Sequence, residues 1–180
     1  MKTSLEIEFK TEISEEIYEN LISKYHLKDK TFVQINHYFD TENKDVINQK
    51  NILRIRQKGD QYKITKKEPS TNGTIETHIK LTLDEAKKIL HDGFDANIIN
   101  LPYYVNKIAE LKTERVTMPY LDGIIFLDKN TYYDKTDFEI EYEVKEIKQG
   151  ELDFKTFLKE NNIPFVPMIS KTKRAYKYKK

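Results

Sequence analysis

The chain has 180 residues, enough for one domain of ordinary size and too few for two. It has no cysteine, which excludes a disulfide scaffold, a thiolate metal site and a cysteine nucleophile. Its 31 basic and 30 acidic residues leave a net charge of +1, which tells against a general nucleic-acid or membrane-surface binder.

The dominant period along the chain is two. Leu5 to Lys10 alternates apolar and charged residues without a fault, as a half-buried strand does. Ser14 then caps an expected helix running to about Tyr25, with Ile17, Leu21 and Ile22 on one face. Thr31 to Thr41 is rich in β-branched and aromatic residues and reads as a second strand. Ile52 to Arg56 and Gln61 to Lys67 alternate on either side of the Gly59-Asp60 turn, as the two strands of a hairpin do. Pro69 to Gly73 carries turn chemistry, and Thr74 to Leu81 is the next strand. Thr82 to Glu85 spells a capping box, with Leu83, Ala86, Ile89 and Leu90 at helical spacing and Gly93 as the stop. Asp95 to about Lys107 is expected to hold a helix, broken or offset near Pro102. Leu111 to Met118, Asp122 to Asp128 and Asp137 to Lys145 are further strands. Phe154, Phe157 and Leu158 mark a helix ended before Pro164, and Ser170 caps a last basic one from Lys171 to Tyr178. Eight strands with few helices give an α+β class, and an even count can close as an antiparallel barrel.

The charged faces carry the functional signal. Alternate residues of a strand share a face, so Glu6, Glu8 and Lys10 stand together, as do Arg54, Arg56 and Lys58. Lys63, Thr65 and Lys67 share a third face, and Glu139, Glu141 and Glu143 a fourth. A solvated face usually mixes signs to avoid like-charge repulsion. Rows segregated by sign suit a site that holds cations and a polyanion together. If these rows face inward, a dry interior could not hold them, because each unpaired buried ion costs several kcal/mol. A wet tunnel could, with the apolar faces turned outward under the helices at Ile17/Leu21, Ala86/Ile89/Leu90 and Phe154/Phe157/Leu158.

Glu6-Ile7-Glu8-Phe9-Lys10 is an E-x-E-x-K sequence that, near an N-terminus, resembles the CYTH family, the triphosphate tunnel metalloenzymes. Further segments follow in that family's order. They are Tyr38 to Thr41, Leu53 to Arg56, Thr65 to Pro69, Thr113 to Arg115, Leu127 to Lys129, Phe138 to Glu141 and Ser170-Lys171. Small single-domain bacterial members are the most similar, with residues 1–180 forming one CYTH-like tunnel domain. The resemblance implies an eight-stranded antiparallel tunnel with a charged interior and a coat of helices. It implies metal ligands at Glu6, Glu8, Glu139 and Glu141. It implies phosphate contacts at Lys10, Arg54, Arg56, Lys67, Arg115 and Lys171, and an acidic tunnel residue at Asp128. Glu6, Glu8, Lys10, Arg56, Asp128 and Glu141 would form the catalytic group. Glu76 resembles a further wall residue, while the roles of Glu143 and Lys63 stay open.

Carboxylate-only ligands favour hard ions, here Mg²⁺ or Mn²⁺. The expected activity is metal-dependent hydrolysis of a triphosphate, foremost inorganic triphosphate, to diphosphate and phosphate. A thiamine triphosphatase, an adenylyl cyclase of class IV type and a non-catalytic polyphosphate-binding module are the alternatives. The expected partner is a small-molecule triphosphate rather than nucleic acid or membrane, and the expected state is a monomer or homodimer. Met1 to Lys10 lacks the apolar core of a secretion signal, so a cytoplasmic setting is expected. The scattered His26, His37, His78 and His91 make no zinc pattern. Apart from Lys171, the basic tail Lys171–Lys180 reads as a solvated terminal helix.

Overall fold

A computed structural model describes residues 1–178, so Lys179 and Lys180 of the basic tail lie outside the described residues. The chain forms β1 (Lys2–Ile13), α1 (Glu15–Lys24), β2 (Phe32–Asp40), α2 (Asp45–Asn48), β3 (Ile52–Lys58), β4 (Gln61–Ser70), β5 (Gly73–Leu81), α3 (Leu83–Asp92) and β6 (Phe94–Asp95). β7 (Tyr104–Tyr120), β8 (Gly123–Tyr132), β9 (Lys135–Val144), α4 (Ile147–Glu160) and α5 (Lys171–Lys177) complete it. The order β2-β3-β4-β5-β1-β9-β8-β7 is antiparallel throughout and closes where β2 pairs β7. The eight expected strands are those of this closed barrel, and the two-residue β6 only adds to an edge of β7.

The barrel is inverted, with its apolar residues outside. Leu53, Ile55 and Ile64 lie on the outer face under α2, α3 and the 94–101 segment, with Phe39, Phe94, Ala96, Ile99 and Leu101. Val116, Ile125, Leu127, Ile140 and Tyr142 form the opposite outer wall. α1 covers this wall with Tyr18, Leu21 and Ile22, and α4 covers it with Phe154, Phe157 and Leu158. The Ile17 backbone N–H donates to Ser14 Oγ, which starts α1 where the capping residue predicts. The Thr82–Glu85 capping box is likewise formed at α3. Gly93 ends that helix at φ +83°, with the Val105 carbonyl packed where a side chain would begin.

Two expectations change. The helix expected over 95–107 is a single 3₁₀ turn, Ala96–Ile99, capped by the Asp95 side chain. Asn100 then turns left-handed at φ 59°, and β7 begins at Tyr104. The apolar spacing of Ala96 and Ile99 belongs to that one turn, while Leu101 and Val105 complete the same outer core from an irregular link and a strand. Pro102 keeps the link non-helical.

The last helix is also not a solvated tail. In α5, Lys171, Thr172, Arg174 and Ala175 are buried. Ala175 packs with Tyr38, Ala109, Leu111 and Tyr132, whose positions are on the inner face. Tyr176 donates its hydroxyl to Asp40 at 2.9 Å. The helix therefore closes one end of the bore.

Phe157 is fully buried between α4 and the β8–β9 wall. Phe157→Ala should cost about 3–5 kcal/mol of unfolding free energy, as large aromatic truncations in cores do. Urea denaturation read by far-UV circular dichroism measures it.

Candidate active site

Strand register decides which charges meet. Directly opposed residues of antiparallel strands point to the same face. Lys10 lies opposite Glu141, Glu8 opposite Glu143 and Glu12 opposite Glu139 across β1 and β9. Across β9 and β8, Glu139 faces Asp128, and across β8 and β7, Asp128 faces Arg115. On the other side of the barrel Arg54 faces Thr65, Ile52 faces Lys67 and Lys67 faces Glu76. All of these positions are on the inner face. Many of them, with Glu6 and Arg56, line a cavity of about 1180 Å³; Glu8, Lys10, Arg115 and Glu141 are among these lining residues, whereas Asp128 and Glu139 lie behind it.

The deepest part is a knot of ions. Arg115 grips Asp128 with two hydrogen bonds, Nε to Oδ1 at 2.7 Å and Nη2 to Oδ2 at 2.6 Å. The same Nη2 reaches Glu141 at 2.5 Å. The Lys171 ammonium, delivered by α5, touches Asp128 at 2.8 Å, Glu141 at 2.7 Å and also Glu139. Arg174 donates to Glu139 and to Asp137, each at 2.6 Å. The Arg115 guanidinium also lies 4.2 Å from the centroid of the Phe126 ring, which fixes its plane. Arg174 was not among the expected residues. The tail's charge run gives no hint that Arg174 turns inward; its burial with Ala175 and its pairs with Asp137 and Glu139 place it in the barrel.

Nearer the open mouth, Lys10 pairs with Glu8 at 3.0 Å. Lys67 pairs with Glu6 and, at 2.7 Å, with Glu76. Arg54 is 3.6 Å from Glu76, and His78 Nε2 is 3.1 Å from its other oxygen. Arg56 Nε donates only to the neutral Asn36, at 3.0 Å. Lys67 rather than Lys66 faces inward. Lys66 pairs with Glu68 at 2.9 Å on the opposite face of β4.

The charge states of these groups record an imbalance. Burial, reinforced by the charge of Glu8, pushes Glu141 up to about 7. Burial and the neighbouring Arg54 and Arg115 push Arg56 down to about 9. Glu141 is raised although it touches Arg115 and Lys171, whereas Arg56 has no carboxylate partner among the described residues. Elsewhere the pairing is adequate. Burial would raise Asp128, but Lys171 and Arg115 hold it well below the usual carboxylate range. Burial would likewise raise Glu8, but Lys10 and Lys67 hold it at about 2.

One ligand oxygen from each of Asp128, Glu139 and Glu141 can be chosen so that all lie within 4.8 Å of one another. The Lys171 ammonium already sits among them, so the pocket accepts a cation, and its all-oxygen donors match hard divalent ions. Glu8 adjoins this group through Lys10 and Glu141, whereas Glu6 is drawn aside by Lys67.

The chain matches the model of the CYTH domain over residues 4–176. It is 32% identical to the "Putative triphosphatase YjbK" of Bacillus subtilis (strain 168), an alignment spanning 100% of this chain and 98% of that protein. A crystal structure described as a putative adenylate cyclase from Bacillus halodurans superposes with a TM-score of 0.89 at 32% identity, covering 97% of this chain and 98% of that one. A Hippeastrum protein described as a putative adenylyl cyclase with a dominant triphosphatase activity shares the fold, with a TM-score of 0.78 at 19% identity over 96% and 95% of the two chains.

Glu76 gives a stability test independent of any ligand. Burial would raise it, but Lys67 and Arg54 together hold it at about 2, below its ordinary 4.5. A depressed carboxyl contributes stability that is present above pH ~4.5 and lost as pH falls through ~2. Glu76→Gln should therefore cost about 1–3 kcal/mol at pH 6, and the gap to the native protein should shrink steadily below pH ~4.5. Denaturation curves across that pH range measure it, and a gap constant with pH would contradict the pairing.

Proposed function

The chain belongs to the CYTH family, and from that premise we propose that it is a metal-dependent hydrolase of a linear triphosphate, foremost inorganic triphosphate. The observation that carries this reading is the layout of the bore: Asp128, Glu139 and Glu141 bring carboxylate oxygens within 4.8 Å of one another, while Arg56, which lines the same cavity, meets no carboxylate at ion-pair distance among the described residues. A divalent cation carrying a polyphosphate matches both features.

In this reading Glu8, Glu139 and Glu141 would hold Mg²⁺ or Mn²⁺, with Asp128 beside them, and Glu6 would join them once phosphate takes the Lys67 ammonium from it. When bound, such an ion offsets charge on phosphate oxygens and acidifies a bound water. Arg54 and Arg56 clamp phosphate oxygens through forked contacts, while Lys10, Lys67 and Lys171 act as point charges. Asp128 keeps the Arg115 fork and the Lys171 ammonium aimed into the bore. Arg115 and Lys171 then meet negative charge as it builds on the bridging oxygen. Water adds to the terminal phosphorus, the phosphoanhydride bond breaks, and diphosphate leaves with its electron pair. The closed end under α5 admits the chain from one mouth only.

A panel of inorganic triphosphate, thiamine triphosphate and ATP with Mg²⁺ or Mn²⁺, read by phosphate and diphosphate release, tests the activity. Phosphate release that stops with a chelator is expected. Cyclic AMP with diphosphate from ATP would instead make the protein a cyclase, and saturable binding without turnover would make it a sensor. Glu8→Gln or Glu141→Gln should lower metal-dependent kcat by about 10²-fold or more, as loss of a key electrostatic group does, while leaving far-UV circular dichroism unchanged. Arg56→Ala should weaken triphosphate more than diphosphate, and equal losses would count against its contact with a third phosphate.

A further inference from the structure

The basic wall continues past the residues assigned to a triphosphate. Across β2, β3, β4 and β5 the directly opposed residues are Asn36, Arg56, Lys63 and Lys80. The last three place cations side by side on the inner face, an arrangement that destabilises a sheet when nothing offsets it. Among the described residues no carboxylate pairs directly with this row. Glu76 is committed to Lys67, Arg54 and His78, and Glu68 to Lys66. Among the described residues, Lys63 and Lys80 have no carboxylate within ion-pair distance, although Asp60 lines the same mouth. Burial, with Arg56 and Arg54 nearby, lowers Lys63 below its ordinary value. Pairing of β1 with β5 starts at Lys2 opposite His78, so Lys80 stands beyond it at the rim. Both lysines line the main cavity, whose 1180 Å³ exceeds the ~300–1,000 Å³ usual for a drug-sized ligand. There is room beyond three phosphates.

We propose that Lys63 and Lys80, which continue the row from Arg56 on one side, form a subsite for a further phosphate, so that the bore takes linear polyphosphates of four or more phosphates in preference to triphosphate. The inference rests on the triphosphate reading of the bore and extends it toward the mouth. A nucleoside at the same place would find two ammonium groups and no matching charge. The inward Phe32 ring is already covered by the Lys58 ammonium at 3.7 Å from its centroid.

The test is isothermal titration of linear tripolyphosphate and linear tetraphosphate into the whole protein in EDTA, where turnover does not consume the titrant. Native protein should bind tetraphosphate about tenfold more tightly than triphosphate, the increment of a charge-assisted contact. In Lys63→Met/Lys80→Met that ratio should fall to about one, with retained triphosphate binding showing that the variant is folded. Equal binding by the native protein, or a preference that survives in the double variant, overturns the subsite and leaves the triphosphate reading standing. Failure of both chains to bind without metal also overturns it, because the row is held to attract phosphate by itself. The hydrolase reading is decided separately, by phosphate release with metal.

Discussion

Enclosing many charges in one bore forces each to find a counter-charge, and this requirement governs the whole structure. Burial of an unpaired ion costs several kcal/mol, so the inner faces are laid out as interlocking pairs: Arg115 with Asp128, Lys171 with Asp128 and Glu141, Arg174 with Glu139, Lys67 with Glu6 and Glu76. The basic row at Arg56 escapes the pairing: among the described residues Arg56 has no carboxylate partner and donates to the neutral Asn36. A partly buried cation without a counter-charge fits a bore that is completed by an anionic ligand.

The inversion of the barrel follows from the same demand. Since the interior is ionic, the apolar core has to be built outside, between the barrel and its coat. α1 and α4 supply it on one side, and α2, α3 and the 94–101 segment on the other. α5 differs from these helices in kind, because it carries Lys171 and Arg174 into the bore and seals one end with Ala175 and Tyr176. It therefore joins fold and site: it stabilises the closed end while neutralising the acids there.

Much of this was legible from residue order. Strict alternation in Leu5–Lys10, Ile52–Arg56 and Asp137–Lys145 gave both the strands and their charged faces, because a period of two fixes facing without knowledge of the partner strand. The sign segregation of Glu139, Glu141 and Glu143 against Arg54 and Arg56 pointed inward, since a solvated sheet has no reason to separate signs. Other features depend on partners distant in sequence. The apolar residues from Ala96 to Val105 are spaced much as on a helix, yet they serve one 3₁₀ turn and the start of β7. Arg174 sits in a basic run whose composition suits solvent, and only its meeting with Asp137 and Glu139, 37 and 35 residues away, turns it inward. Nor does the sequence show that Glu6 would be held by Lys67, which is 61 residues distant.

The central claim is spatial: within one bore the carboxylates hold the cation beside phosphates gripped by the basic residues. Anomalous diffraction from crystals grown with Mn²⁺ and a non-hydrolysable triphosphate analogue tests it most directly. The account predicts a manganese peak among Glu8, Glu139 and Glu141 with phosphate density against Arg54 and Arg56. Manganese confined to the outer surface, or an analogue bound away from the bore, would contradict it.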